Sequence, residues 1–552
     1  MASQSGSLLQ SLVADVRSGN YGSATVLTTV ILAGTVALSL LNRLLTPRID
    51  PREPPTIKPT IPWIGHLIGI IRHQSDYNRI IHNAYPNHPI ATLPILNGKL
   101  YAVFNPNLLQ TLLRNKTASF EPFATDYAEK TFDLTQDLYS RITAPGVYDE
   151  FTDAIHSSFQ AASLHQMNVH FLSNISAQLD PMSDGTIRAN PTNHGKEQVI
   201  SGKLQVDNLY LWVRDVMSLA TTKALYGDHD PFGGNPSLID DMWLFEESVP
   251  YFLLSLFPSI TMPKAYKARA TLQTLMSNYY GADHDVNDPT TSTLVRNRAG
   301  ALRKNGVKGY EIGKVEVILP VVATLNAVPT FYWLLLYILD RPELLSRIRA
   351  EVESAGILSE NNGKRTVTFK IADFDTTVPL LVSCYRETMR LATQSVSMRR
   401  ILEDITLNNP DGTTYLLKKG TDIHLPAAVA HYESSVWGSD ADTFDPERFL
   451  ASAQKDRNLD DERRRKAAYI PFGGGRHLCP GRNFAFAEII GFASALLLGF
   501  DIEPIGKGFG DVKMLGATLA SGTVRPEKYG AGLGGRISRR KGWEDVEWKF
   551  EC

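Results

Sequence analysis

The chain has 552 residues, of which 43% are hydrophobic and 21% charged, and this apolar content is enough for a large buried core. Its net charge of -2 gives no reason to expect a nucleic-acid partner. Its three cysteines, Cys384, Cys479 and Cys552, are too few for a disulfide scaffold and favour a reducing compartment. Length alone predicts about three or four domains. However, no linker or internal repeat divides the chain after residue 60, so one large α-rich domain is compatible with the sequence.

The N-terminal part of the chain predicts a membrane anchor. Residues 18–42 carry no charge and residues 24–41 are mostly apolar, which is close to the roughly 20 residues that cross a bilayer. We predict a luminal N-terminus over residues 1–23 and a transmembrane helix over residues 24–44. A cleaved signal peptide is the alternative, although the apolar run starts late and lacks a clear cleavage site. By the positive-inside rule, the rest of the protein is predicted to be cytosolic because basic residues follow the helix: Arg43, Arg48, Arg52 and Lys58.

A stiff proline-rich connector over residues 45–65 leads into a single predicted domain over residues 66–552. Near its start, Ile90–Ile95 and Lys99–Phe104 flank the dipeptide Asn97-Gly98, which is a strong hairpin signal. From about residue 107 onward helical periodicity dominates, with residues 209–225 as the best example. Residues 243–262 are rich in Phe and Leu, so they are predicted either to line a membrane-facing substrate entrance or to pack in the core.

A long apolar segment over residues 317–339 is interrupted by Pro320, Asn326 and Pro329. Proline inside a helix removes a backbone hydrogen bond and bends the helix. The segment is therefore predicted to be a kinked core helix.

A glycine-rich loop carries the strongest chemical signal in the chain. The glycines at 473–475 precede Cys479, and Pro480, Gly481 and a helical apolar run from 484 to 500 follow it. Backbone without side chains can lie close against a large flat ligand. Pro480 suits the first position of a helix, so Cys479 is predicted where N–H groups and the helix dipole stabilise a thiolate. Such a thiolate suggests axial ligation of haem iron, with a small buried cysteine or a phosphate-binding loop as the alternatives.

The ordered residues of this loop resemble the cysteine-ligand loop of the cytochrome P-450 family. They are Phe472, Gly475, His477, Cys479 and Gly481, with His477 where that family usually has arginine. The resemblance runs from about residue 45 to the end of the chain. It implies a mainly α fold with a small β-region that binds haem b through the thiolate of Cys479. It also implies a single N-terminal transmembrane helix in the endoplasmic reticulum membrane, with a cytosolic catalytic domain.

The resemblance further implies a structural triad and contacts to the haem propionates. Glu387 and Arg390 lie three residues apart, hence on one face of a helix, among apolar neighbours. With Arg448 they would form the buried network that holds the proximal side of the haem. His431 is interpreted as a packing residue and not as a metal ligand. The candidates for binding propionates are basic side chains: Arg399, or Arg400 in its place, His477 and Arg476.

The kinked helix departs from the usual pattern of the family. Asn326 and Leu325 stand where most members carry the threonine and the acid that relay protons. The stretch from Asn326 to Trp333 is instead similar to a branch that includes sterol 7α- and 12α-hydroxylases and prostacyclin synthase. We expect Asn326, Pro329 and Thr330 to be catalytic residues on the oxygen side of the iron. The amide of Asn326 can hydrogen-bond an oxygen ligand, and the carbonyl released by Pro329 can hold a proton-carrying water.

The resemblance implies a haem-thiolate monooxygenase that oxidises a terpenoid, sterol or polyketide in fungal secondary metabolism. No flavin domain fits in this length, so electrons from NADPH are expected through a separate NADPH-cytochrome P-450 reductase, with cytochrome b5 as an additional candidate donor. Residues 456–467 are charged and are predicted either to be a solvated loop or to dock the reductase. Residues 515–520 match the tip that reaches the substrate pocket of the family. The alternatives are a reductase-independent haem-thiolate isomerase, which the branch includes, and a non-catalytic haem-binding or lipid-binding protein.

Overall fold

The computed structural model describes residues 18, 28, 31–37, 47–61, 64–180, 198–200, 203–409, 411–454, 458–516 and 522–552. The predicted luminal segment over 1–23 apart from residue 18, and the predicted anchor over 24–44 apart from residues 28 and 31–37, lie outside these ranges. Residues 31–37 are helical, with exposed Ile31, Leu32 and Val36. The tip predicted at 515–520 is described only for Leu515 and Gly516.

Helices form most of the ordered chain. In order they are α1 Leu67–His73, α2 Asp76–Ala84, α3 Pro106–Arg114, α4 Glu121–Asp126, α5 Ala128–Phe132, α6 Gln136–Ile142, α7 Val147–Ser157, α8 Ala161–Leu179, α9 Leu209–Tyr226, α10 Leu238–Leu254, α11 Pro258–Thr261, α12 Pro263–Gly281, α13 His284–Asn287, α14 Thr293–Lys304, α15 Gly309–Glu316, α16 Ile318–Thr324, α17 Ala327–Leu339, α18 Pro342–Ala355, α19 Phe374–Thr377, α20 Pro379–Ala392, α21 Ala427–Tyr432, α22 Ser434–Trp437, α23 Leu459–Ala468 and α24 Arg482–Gly499. Helix α9 confirms the helix predicted over residues 209–225.

Short strands form the smaller β-region that the resemblance implies. They are β1 Ile90–Ile95, β2 Gly98–Val103, β3 Ala118–Ser119, β4 Gln198–Ile200, β5 Lys203–Val206, β6 Ile357–Asn361, β7 Lys364–Lys370, β8 Val396–Ile401, β9 Ile405–Asn408, β10 Thr414–Leu417, β11 Asp422–Pro426, β12 Phe500–Gly506, β13 Leu533–Arg539 and β14 Val546–Glu551. The sheet that carries site residues has the strand order β1-β2-β11-β8-β3. The other strands are ordered β10-β9, β12-β13-β5-β4 and β14-β7-β6.

The predicted hairpin forms, with its turn one residue earlier than the Asn97-Gly98 signal suggests. Gly98 already pairs with Ile95, so β1 and β2 are antiparallel around the two turn residues Leu96 and Asn97. Leu96 takes the left-handed conformation with φ 51°, which a leucine adopts only at a cost. β2 then pairs in parallel with β11, which pairs antiparallel with β8. This order connects the N-terminal hairpin to the strand that carries Arg399.

The core lies where α8, α9, α17 and α24 pack together. The rings of Phe331 on α17 and Phe492 on α24 stack with centroids 4.3 Å apart, and both side chains are fully buried. Within the described residues, two helical stretches are long and apolar enough to cross a bilayer, Gly309–Leu339 and Arg482–Gly499. The apolar window of each is 78% buried inside the protein. Burial on this scale is typical of core helices.

The kink predicted in the apolar segment over residues 317–339 is confirmed, and it divides the segment into α16 and α17. Pro320 and Pro329 are each the third residue of their helix. The first N–H groups of a helix have no hydrogen-bond partner within that helix. A proline in the first turn, which lacks an N–H, therefore removes no backbone hydrogen bond from its own helix. The breaks therefore lie just before the prolines and leave Leu325 and Asn326 at the junction.

Candidate active site

The glycine-rich loop lies against α3, and two of its glycines are sterically required. Gly473 and Gly475 have φ values of 70° and 64°, in the left-handed region that favours glycine. A Cβ atom on Gly475 would lie 1.7 Å from the carbonyl oxygen of Leu113. The loop closes through the backbone N–H of Cys479, which donates to the carbonyl oxygen of Phe472 at 3.1 Å. The position of Cys479 is thus set by backbone contacts that only a small residue at 475 permits.

The helix after the loop begins later than predicted. Helix α24 starts at Arg482 with Gly481 as its N-cap, whereas Pro480 lies in the preceding turn. Proline fits this turn as well, because φ near its fixed value is also needed there. Partial burial raises the pKa of the Cys479 thiol, and the backbone N–H groups of Gly481 and Arg482 together with the charge of Arg482 offset part of this rise. The sulfur is therefore only partly exposed to water, and it lies beside donors that favour a thiolate.

Arg399 lies on the buried face of β8 as a cation that has no acidic partner among the described residues. Its guanidinium donates to the carbonyl oxygen of Met398 at 2.7 Å, while its buried Nε has no partner in the described chain. Burial lowers the pKa of Arg399 to about 10. An unpaired buried charge is costly. A carboxylate ligand at this position, such as a haem propionate, would satisfy it.

Arg400, the alternative to Arg399, faces the other side of β8. Its side chain pairs with Asp126 at 2.6 Å and with Asp422 at 2.7 Å. Successive residues of a strand point to opposite faces, which explains why adjacent arginines have such different surroundings. Since Arg400 already has two carboxylate partners, the structure does not support it as the propionate ligand.

The two basic residues of the loop also separate. The ring of His477 lies edge-on to Phe120 and its Nε2 accepts from the backbone N–H of Phe120 at 3.5 Å. Burial and the nearby charge of Arg399 lower the pKa of His477 to about 4, so it is neutral at pH 7. Arg476 is mostly exposed and forms a salt bridge with Asp149 on α7. The prediction of Arg476 as a propionate ligand is therefore not supported, because its guanidinium is directed to a surface carboxylate.

The structure brings the triad residues together in the core. Arg390 donates to both oxygens of Glu387, at 2.8 and 2.7 Å, and Arg448 donates to Glu387 Oε1 at 2.9 Å. Arg390 also donates to the carbonyl oxygens of His431 and Ala441. All three triad side chains are buried. A buried ion network is stable only when its remaining donors are satisfied, and here backbone carbonyls do this.

His431 contributes more than the packing role predicted from sequence. Its Nδ1 lies 3.0 Å from the carbonyl oxygen of Thr393, and its Nε2 accepts from the backbone N–H of Ile470 at 3.0 Å. Burial lowers its pKa to about 3, so both contacts involve a neutral ring. Since its carbonyl accepts from Arg390, His431 joins the triad to the chain that enters the cysteine loop. No sequence signal distinguishes it from an ordinary buried histidine.

Asn326 is exposed at the junction of α16 and α17. Its Oδ1 accepts from the backbone N–H groups of Gly522 and Thr523, at 3.1 and 3.0 Å. Thr330 is buried, and its hydroxyl donates to the carbonyl oxygen of Asn326 at 2.7 Å. Pro329 is buried in the first turn of α17. Of the three residues predicted as catalytic, only Asn326 is exposed, whereas Pro329 and Thr330 are buried.

Comparison with known proteins agrees with this geometry. The family model described as Cytochrome P450 matches residues 324–525. A cytochrome P450 monooxygenase from Gibberella zeae is 36% identical over 524 residues, which cover 94% of this chain and 95% of that protein. The human 7-alpha-hydroxycholest-4-en-3-one 12-alpha-hydroxylase is 23% identical over 482 residues, which cover 86% and 90% of the two chains.

The fold is also shared with a solved structure. Retinoic acid bound cyanobacterial CYP120A1 superposes with a TM-score of 0.62 at 16% sequence identity. The match covers 89% of this chain and 100% of that chain. Together with the extended identity to the Gibberella zeae protein, these findings establish that this chain belongs to the cytochrome P450 family.

Proposed function

We propose that this protein is a haem-thiolate monooxygenase that oxidises a hydrophobic natural product, and that Cys479 is its iron ligand. The observation that carries the proposal is the half-buried thiol of Cys479, which lies beside the N–H groups of Gly481 and Arg482. Bound haem would supply the chemistry, in which dioxygen takes up two electrons and two protons, one oxygen atom entering the substrate and the other leaving as water.

The residues around the loop have distinct tasks in this proposal. Cys479 supplies the thiolate, and Arg399 pairs with a propionate carboxylate through a charge-assisted bond. Neutral His477 can donate one further hydrogen bond from Nδ1, because its Nε2 already accepts from Phe120. The triad at Glu387 acts indirectly, since it fixes the chain that enters the cysteine loop.

A separate reductase is proposed as the electron donor, with cytochrome b5 as an additional candidate. Helix α23 is exposed, with Arg463, Arg464 and Lys466 among its solvent-facing residues. It packs on α3, which also packs on the turn at Gly475–His477. The side chain of Gln110 on α3 donates to the carbonyl oxygen of Ala467 at 3.0 Å. This places the charged helix on the cysteine side of the protein, where an acidic partner could dock.

A membrane location is proposed from two exposed apolar regions. The helical residues 31–37, part of the predicted anchor at 24–44, expose aliphatic side chains. Residues 243–262 are predicted from sequence either to line a substrate entrance or to pack in the core, and the structure shows a different environment for each end of this segment. Its first part is buried, whereas the chain from the end of α10 through α11 exposes large apolar side chains, which favours a lipid-facing entrance: Tyr251, Leu254, Leu256, Phe257 and Ile260. We propose a single-pass protein of the endoplasmic reticulum with a cytosolic catalytic domain.

The substrate class rests on the relatives. Proteins similar to this chain include the fungal cytochrome P450 monooxygenases nodJ of Hypoxylon pulicicidum and poxD of Penicillium oxalicum, at 25% identity each. We propose a terpenoid, sterol or polyketide substrate from fungal secondary metabolism. An isomerase remains the second candidate because Asn326 stands in place of the proton-relaying pair.

Isotope labelling separates these reactions. The full-length protein, expressed with a fungal cytochrome P450 reductase, would be incubated under ¹⁸O₂ with panels of terpenoids, sterols and polyketides. A product that carries one ¹⁸O atom and requires both NADPH and the reductase supports monooxygenation. A product that forms without NADPH and without the reductase, and that carries no ¹⁸O, would establish the isomerase. Bound haem with no turnover of any compound would favour a non-catalytic binding protein.

A further inference from the structure

A short segment near the C-terminus lies between the end of α20 and the junction of α16 and α17. We call residues Gly522–Arg525 the strap. On one side its backbone joins the end of α20, because the N–H of Gln394 donates to the carbonyl of Gly522 at 2.7 Å and the N–H of Val524 donates to the carbonyl of Ala392 at 2.8 Å. Thr523 and Val524 are buried. The strap is thus an ordered part of the protein that lies beside the exposed Asn326.

On its other side the strap is held by two side chains, one at the start of α17 and one within it. Asn326 accepts from the N–H groups of Gly522 and Thr523, and the indole N–H of Trp333 donates to the carbonyl oxygen of Val524 at 2.8 Å. Asn326 and Trp333 are seven residues apart, about two helical turns, and so lie on the same face. Side chains from one helix face therefore satisfy successive backbone groups of the strap.

The two N–H donors also fix the orientation of the Asn326 amide. Only the oxygen of an amide accepts, so Oδ1 must point at the strap. With two bonds its acceptor capacity is filled. The Nδ2 group, which can only donate, is then the part of Asn326 left to face the open space. A side chain so arranged cannot accept a proton and pass it on.

The outer end of the strap is bound to α10. The guanidinium of Arg525 donates to Glu247 at 2.6 Å and also pairs with Glu246. It lies over the ring of Trp243, 4.6 Å from the ring centroid. Arg525 and Glu246 are nearly completely buried. Hydrogen-bonded buried pairs of this kind are costly to break, so α10, the strap and α17 are linked as one unit.

We infer that Asn326 is a positioning residue that anchors the strap to the start of α17. The strap in turn sets the shape of the substrate space beside α10. Asn326 thus acts on which substrate fits and how it is oriented, in addition to the hydrogen bond to an oxygen ligand that is predicted from sequence. The inference rests on the proposed function only in assuming that substrate binds on this side of the haem. The anchoring itself is independent of that assumption.

Three variants separate anchoring from other roles. Asn326→Asp keeps an oxygen that can accept both strap N–H groups but removes the amide donor. Asn326→Ala removes the anchor. Trp333→Phe removes only the indole N–H donor and keeps an aromatic ring, so it loosens the strap with Asn326 intact. Hydrogen–deuterium exchange of the full-length holoprotein, followed on peptides that contain residues 522–525, reports the strap directly.

We expect exchange at the amides of Gly522 and Thr523 to be roughly tenfold faster in Asn326→Ala, in line with the loss of a typical hydrogen bond. Exchange in Asn326→Asp should match the wild type, and Trp333→Phe should be faster at Val524. Unchanged protection in Asn326→Ala, or equally fast exchange in Asn326→Asp and Asn326→Ala, would overturn the anchoring.

Azole binding tests the effect on the substrate space. Spectral titration of the same variants uses imidazole, which is small, and clotrimazole, whose three aromatic rings make it sensitive to the shape of the surrounding space. We expect Asn326→Ala and Trp333→Phe to change the Kd of clotrimazole several-fold and that of imidazole little, and Asn326→Asp to restore both. Equal clotrimazole affinity in all variants would overturn the role in shaping the site. If the wild type itself shows no thiolate-ligated haem, the proposed function fails, while hydrogen exchange still decides the anchoring.

Discussion

Arg448 Nε lies 2.9 Å from Glu387 Oε1, although 61 positions separate the two residues in the chain. The same carboxylate accepts two bonds from Arg390, one turn along α20. Two buried cations thus share one buried anion, and Arg448 also pairs with Asp440 at 2.8 Å. This contact ties α20 to the segment that leads toward the cysteine loop.

The first prediction is that Glu387→Gln destabilises the protein by about 3–5 kcal/mol, because buried Arg390 loses its carboxylate partner and Arg448 keeps only Asp440. The variant should also accumulate without bound haem. Urea unfolding and the haem-to-protein absorbance ratio measure the two effects. The control is Glu503→Gln, which breaks an exposed pair with Arg536 and should cost less than about 1 kcal/mol. Equal, small effects in both variants would show that the network is not structural.

The second prediction concerns Arg399, the buried cation without a carboxylate partner in the described chain. In Arg399→Met, haem should dissociate roughly tenfold faster or more, which is the loss expected for a charge-assisted bond. The same change should leave the apoprotein as stable as the wild type or more so, since it removes an unpaired buried charge. Haem transfer to apomyoglobin measures the rate, and urea unfolding of the apoprotein measures the stability.

Arg400→Met is the matched control for this prediction. It removes a neighbouring arginine that already pairs with Asp126 and Asp422. Its haem dissociation should equal that of the wild type. A slower or unchanged rate in Arg399→Met, or an increase in both variants, would contradict the assignment of Arg399 to a propionate.

The sequence predicts the proximal side of the site well because local rules govern it. The glycines, Cys479 and the following helix are neighbours in the chain, and the Glu387–Arg390 spacing is set by one helical turn. By contrast, which of Arg399 and Arg400 faces the site depends on the register of β8, which only the fold supplies. The start of α24 at Arg482, two residues after Pro480, lies beyond the accuracy of local signals.

The distal side could not be predicted because its contacts are far apart in sequence. The residues that Asn326 and Trp333 bind lie almost 200 positions later in the chain. No periodicity or motif connects the strap to α17, and Arg525 carries no signal that distinguishes it from a surface arginine. The sequence therefore indicates only what the amide of Asn326 can do, whereas the structure shows what its oxygen binds.

The third prediction is that Gly475→Ala abolishes stable haem binding. The added Cβ would meet the carbonyl oxygen of Leu113, and the left-handed φ adds about 1–2 kcal/mol of strain. The loop must then move away from α3, and Cys479 moves with it. Gly412→Ala has a comparable φ of 87° but no atom within 4 Å, so it should carry the strain alone and bind haem normally. Haem content after purification is the measurement, and full loading of Gly475→Ala would contradict the prediction.

The fourth prediction is a pH dependence that originates at Glu488 in α24. Burial raises the pKa of this carboxyl to about 8 from an ordinary 4.5, and Thr221 donates to it at 3.0 Å. The folded state therefore binds a proton that the unfolded state has lost, and stability falls as pH rises between these two values. Glu488→Gln removes the titration while keeping a neutral group of similar size.

Wild type and Glu488→Gln should accordingly differ little in unfolding free energy below pH 5. At pH 9 the variant should be the more stable by on the order of 5 kcal/mol. Urea unfolding at a series of pH values measures the difference. A constant difference across the series would show that Glu488 does not titrate in this range.

The most direct test of the whole account is the carbon-monoxide difference spectrum of the reduced protein, compared among the wild type, Cys479→Ser and Cys552→Ser. A thiolate ligand gives the iron a spectrum distinct from that of other axial ligands. We predict that the wild type and Cys552→Ser show the thiolate band and that Cys479→Ser lacks it. A thiolate band in Cys479→Ser, or its absence from haem-loaded wild type, would contradict the central claim that Cys479 holds the iron.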